Sequence, residues 1–77
     1  MNTKRRIELT KAINLLKQAR DVIDSILGEE LEAYYNMPES LQCSERGETM
    51  YGNIKILEQN VSNIDYVQRE LSEIIYS

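Results

Sequence analysis

A single proline divides this chain, and Pro38 constrains its fold more than any other residue. On each side of it runs a stretch of roughly thirty residues in which apolar side chains return at alternating steps of four and three. In the first stretch these are Leu9, Ile13, Leu16, Ile23, Leu27 and Tyr34, with Arg20 and Glu30 as polar members. In the second they are Met50, Ile54, Leu57, Val61, Ile64, Leu71 and Ile75, with Gln68 the polar member. That spacing is the period of helices packed along a seam. Pro38 has no N–H to donate and pushes Met37 away from helical angles, so one continuous helix is excluded. The pattern therefore predicts an all-α chain. Its 77 residues form a single helical-hairpin domain, with one helix over 3–35, a turn over 36–44 and a second helix over 45–76. Thr3 is the expected N-cap of the first helix and Ser44 of the second, with Glu45 and Glu48 near the positive end of the latter. Within the turn, Pro38–Leu41 can form a short helical piece.

Folding the second helix back on the first sets a register. With Tyr34 facing Met50, paired residue numbers sum to 84, giving Leu27–Leu57, Ile23–Val61, Ile13–Leu71 and Leu9–Ile75. Slipping by a heptad in one direction needs a very long loop, and in the other it runs helix through Pro38. Arg20 falls opposite Ile64. Its stem is expected to cover that side chain while its head reaches water or an acid such as Asp65.

Labelling the seam positions a and d, the flanking g positions lie on one side of an antiparallel hairpin. They read Ala12, Ala19, Ile26 and Ala33 on the first helix against Ile74, Val67, Asn60 and Asn53 on the second. Leu15 and Val22 widen this stripe. The opposite side carries Thr10, Lys17 and Asp24 against Ser72, Asp65 and Glu58, which makes it a solvated edge. Two helices cannot enclose a core of their own, so the stripe calls for a partner. The expected partner is a second copy, with Ala12, Leu15, Ala19, Val22, Ile26, Val67 and Ile74 as the homodimer or higher-oligomer interface of a helical bundle.

Composition removes whole classes of function. Without histidine, the usual imidazole base and the commonest metal ligand are missing. Cys43 is the only cysteine, so neither an intrachain disulfide nor a thiolate zinc site can form. A lone thiol suits a reducing cytoplasm. Lys4, Arg5 and Arg6 imitate the start of a signal peptide, but Glu8, Thr10 and Lys11 interrupt the apolar stretch that such a peptide needs, and no apolar run is long enough for a membrane span. Neither an enzyme nor a cofactor is expected. Charge is uneven: residues 1–20 carry six bases and one acid, whereas residues 21–50 carry one base and eight acids. The basic cluster of Lys4, Arg5, Arg6, Lys11 and Lys17 suits phosphate contact, yet Glu70 and Glu73 are expected to neutralise part of it. The turn end, rich in Glu29, Glu30, Glu32, Glu39, Glu45 and Glu48, reads as a solvated acidic tip. Tyr35, Tyr66 and Tyr76 face outward and are materials for a contact surface.

The turn and second helix carry a more specific pattern. Met37-Pro38-Glu39-Ser40-Leu41-Gln42 followed by Ser44-Glu45-Arg46-Gly47-Glu48 resembles the loop of small, mostly uncharacterised helical-hairpin proteins of phages and mobile elements of Gram-positive bacteria. The likeness spans roughly residues 29–75. Those proteins are richer in Leu-Glu-Glu-Ala repeats, and the first helix departs from them there. The resemblance implies a small, non-catalytic accessory protein acting in the host cytoplasm, one that inhibits a bacterial anti-phage defence. Its partner is then a host defence protein or a signalling nucleotide. Arg5, Arg6, Arg20, Asn53, Asn60 and Arg69 are the donors available for a nucleotide at subunit junctions, and Tyr35 and Tyr66 for a protein partner. Two other classes compete: a nucleic-acid-binding hairpin dimer, which needs the basic end unneutralised, and a structural coiled-coil adaptor.

Overall fold

A computed structural model describes all of residues 1–77. It is all helical: α1 runs Thr3–Tyr35, α2 Glu39–Gln42 and α3 Glu45–Ile75. The two long helices pack side by side into a rod of 58 × 15 × 13 Å. Arg20 Nε lies 3.1 Å from Asp65 Oδ1, and the Tyr34 and Tyr51 rings are 5.8 Å apart. Both pairs sum to 85, one residue from the seam value, whereas a heptad slip would give 77 or 91. Later residues of α1 meet earlier residues of α3, so the helices are antiparallel with Tyr34 at the level of Met50. Every seam position named from the repeat is buried or half-buried.

The ends show how the chain encodes its boundaries. Asn2, not Thr3, caps α1; its side-chain oxygen accepts from the Arg5 amide at 2.8 Å, and Thr3 is already helical. Asn is as good a cap as Thr, and standing one residue earlier it satisfies the first turn without shortening the helix. Ser44 caps α3, its hydroxyl accepting from the Gly47 amide at 3.3 Å. Pro38, in extended geometry, precedes α2 and is its cap, so the short helix begins one residue later than the proline.

The turn is held by its own side chains. The Gln42 side-chain amide donates to the Tyr34 carbonyl at 2.9 Å, which also accepts from the Met37 amide at 3.1 Å, and to the Met37 carbonyl just beyond α1 at 3.2 Å, tying the turn to the end of the helix. The Ser44 hydroxyl donates to the Leu41 carbonyl. Gly47 is buried where α2 folds over the first turn of α3; an added Cβ there would meet the carbonyls of Leu41 and Gln42. Pro38, Gln42, Ser44 and Gly47 thus each have a constructional task, and the distinctive loop motif specifies a turn.

The core is slight. Leu27, Ile54 and Val61 are its buried apolar side chains, and Ile54, at 2% exposure, is the most enclosed. By the pairing register all three sit in the half of the rod nearer the turn.

Candidate interaction surface

The apolar g-side stripe is open to solvent. Leu15 is 65% exposed, Val22 60%, Ile26 44%, Ile74 42% and Val67 39%. Ala19 is exposed and Ala12 half-buried, so both leave the helix surface low along the stripe. Ile56, 59% exposed, lies one turn from Asn53 and Asn60 and extends the stripe along α3. Sequence reasoning missed Ile56, although its step of four from Asn60 was a sufficient signal.

Near the turn, the same side opens into a cleft whose lining includes Glu30, Ala33, Met37, Arg46, Met50 and Asn53. Asn53 therefore joins a concave site. Asn60 stands exposed on the g side, while Arg69 is exposed at an outward b position. Arg5 is exposed at the terminal end; Arg6 is half-buried, and its Nε is enclosed without a hydrogen-bond partner.

Arg20 belongs elsewhere. Its guanidinium turns to the opposite edge, donating to Asp65 and lying 3.7 Å from both Asp21 and Asp24. The hydrogen bond to Asp65, followed by that residue's charge, raises its pKa further above the ordinary arginine value. Arg20 is thus engaged within its own chain, away from the junction donors with which the sequence grouped it.

Tyr35 and Tyr66, 72% and 57% exposed, lie on outward positions about 25 Å apart along the rod by helical rise, so they form no single patch. Instead Tyr35 packs edge-on against Tyr34, which contacts Tyr51, and Lys55 Nζ sits 5.1 Å over the Tyr51 ring. This cluster near the turn was legible only once Tyr34 and Tyr51 were known to share a level.

The basic end is not paired as the sequence suggested. Lys11 bonds Glu8 on its own helix at 3.3 Å, and no carboxylate comes within salt-bridge distance of Lys4, Arg5, Arg6 or Lys17. Geometry gives the reason: Glu70 and Glu73 occupy outer c and f positions of α3, which face away from α1. No group of three or more His, Cys, Asp or Glu side chains is gathered as a metal site. No helix is long and apolar enough to cross a membrane.

The accessible area is 5852 Å². A compact monomer of this mass exposes about 4850 Å², so the hairpin shows about 1000 Å² in excess. That surplus is close to what one partner buries in a standard interface. No family model, curated protein or solved structure matches this chain.

Proposed function

We propose that this chain is a non-catalytic binding protein that self-associates through its g-side stripe and acts by stoichiometric capture. The observation that carries this reading is the row of exposed Leu15, Val22, Ile26, Val67 and Ile74, an apolar surface that a solitary hairpin leaves in water. The finer reading is a phage-derived accessory protein that inhibits a bacterial anti-phage defence in the host cytoplasm. It rests on the loop resemblance, and the target is a host defence protein or a signalling nucleotide. The turn-side cleft offers Arg46 and Asn53 as donors, but beside the carboxylates of Glu30 and Glu45; the Tyr34–Tyr35–Tyr51 cluster and acidic tip support a protein partner.

The test mixes purified protein with a defence effector or its signal and follows inhibition against molar ratio. Saturation near equivalence, with intact signal recovered on heating, is the expected result. Consumption of a large excess of signal with a new product appearing would make the chain an enzyme and end this reading.

A second reading has a specific observation in its favour. The unpaired Lys4, Arg5, Arg6 and Lys17 leave the terminal end cationic, as a nucleic-acid-binding hairpin dimer requires. RNA or DNA binding whose affinity falls steeply with salt, and is lost on replacing Arg5 and Arg6, would favour it.

A further inference from the structure

We propose that a second copy of this chain seats antiparallel on the g-side stripe, with the two-fold axis crossing the rod at Ala19. The inference rests on the reading of the stripe as an assembly surface and adds its orientation, register and a shared site.

A two-fold pair of face-to-face rods has two arrangements. With the axis along the rod, turn meets turn and α1 faces α3 of the other copy. With the axis across the rod, each turn meets the other copy's termini, and like helices face each other.

Charge separates the two. The half of the rod holding the termini, residues 1–19 and 65–77, has six bases and four acids, whereas residues 20–64 have three bases and nine acids. Turn on turn stacks the acidic halves together. The crosswise axis lays each acidic half against a basic one, over contacts short enough for salt to leave part of the attraction.

The side chains agree. The stripe on α1, from Ala12 to Ile26, has Ala19 at its midpoint, and Ala19 is also the midpoint of Thr3–Tyr35. A crosswise axis there sets small Ala12 against large Ile26 and Ala19 against itself, where the absence of bulk lets the helices approach. On α3 the same axis opposes Ile56 with Ile74, both exposed in the hairpin. The lengthwise axis instead sets both Ile26 against Asn60 and Val22 against Asn63, whereas the crosswise axis leaves one such contact, Val67 against Asn63, and pairs the Asn60 amide with Glu70. Area is consistent as well, because the roughly 1000 Å² surplus of each hairpin suffices for one such interface.

The crosswise pair also completes a site. It brings Arg5 of the second copy level with Ala33, over the cleft that Glu30, Met50 and Asn53 help to line. Each assembly then holds two identical composite clefts at opposite ends, each supplied with an arginine by the neighbouring copy.

Cys43 makes the arrangement measurable in the unaltered sequence, since it is exposed at the turn and is the only thiol. Spin labels on Cys43, read by pulsed electron resonance, should be about 50 Å apart in the crosswise dimer, given the helical rise from Ala19 to the turn. Separations under about 25 Å in a species that sediments as a dimer would overturn the orientation and leave the assembly reading standing. A monomer at micromolar concentration would overturn both. As an independent check, Ala12→Cys and Ile26→Cys proteins, each also carrying Cys43→Ser, should crosslink when mixed. Crosslinking of mixed Ala19→Cys and Val67→Cys proteins in their place would identify the lengthwise pair.

Discussion

Three glycines in helices allow one substitution to be read in two opposite ways. At Gly28 and Gly52 an added Cβ meets nothing within 4 Å, so Gly→Ala changes only helix propensity. Each replacement should stabilise by about 1 kcal/mol, since alanine loses less chain entropy on entering a helix. At Gly47 the same propensity gain is set against a collision. The new Cβ would lie 2.6 Å from the Gln42 carbonyl carbon and closer still to the Leu41 and Gln42 oxygens, all of them backbone atoms. Relief requires α2 to move off α3 by about 1 Å, to restore ordinary van der Waals separation. That movement loosens the Ser44 cap, which holds the Gly47 amide at 3.3 Å. Overpacking costs about 1–3 kcal/mol and a weakened cap about 1 kcal/mol, against a propensity gain of about 1 kcal/mol. Gly47→Ala should therefore destabilise by about 1–3 kcal/mol, lowering the melting temperature by about 5–20 °C, while Gly28→Ala and Gly52→Ala each raise it by about 4–8 °C. Circular dichroism melts at matched protein concentration measure all three, the matching being needed because assembly feeds into the midpoint. A Gly47→Ala protein that melts at or above the unmodified one would refute the close approach of α2.

Other perturbations probe the seam, the stripe and the ionisable groups. Ile54→Ala removes the most enclosed side chain and should cost about 2–5 kcal/mol, read by urea unfolding; a loss below about 1 kcal/mol would mean the seam packs elsewhere. Leu15→Glu with Val67→Glu should shift sedimentation toward a smaller species by burying unpaired charge at the joint, whereas Leu15→Ala alone should preserve the helical spectrum. Stability should be flat between pH 6 and 9. The chain has no histidine, and Lys55 is raised above its ordinary value by its hydrogen bond to Tyr51 and then by Glu58. A raised cation contributes fully below its unfolded pKa and loses that contribution only as pH climbs through the folded one, so the decline belongs above about pH 10.5. Melts at pH 6 and 9 that differ by more than a few degrees would contradict this.

The seam was legible because a four–three repeat admits few geometries, and one proline fixed where the chain reverses. The Arg20–Asp65 contact followed from the same register, since a long cation opposite Ile64 has an acid one residue away. The Asn2 cap was missed because Asn2 and Thr3 are nearly equal as caps, and only the backbone path decides between them. The special status of Gly47 among the three glycines was hidden as well; its burial depends on α2, whose docking no periodicity encodes. Glu70 and Glu73 offset part of the charge of the basic end without forming ion pairs to it, because proximity along a rod does not bring outer faces of two helices together. The stripe was visible as a pattern, but its extension through Ile56 and the turn-side cleft emerged only when both helices and the turn were placed in space.

The lopsided core has a kinetic consequence. Leu27, Ile54 and Val61 all lie on the turn side of the midpoint, and the shortest loops to close are also there. Contacts near Tyr34 and Met50 can form after joining a small segment, and each further layer toward the termini then adds little extra closure entropy. The hairpin should fold as a zipper started at the turn and open from its free ends. Amides near residues 5–16 and 68–75 should exchange with solvent before those flanking Leu27 and Ile54 in the isolated hairpin. In the antiparallel pair, every fraying end would lie against the firm end of its neighbour, so that assembly clamps the part of each molecule least able to hold itself closed.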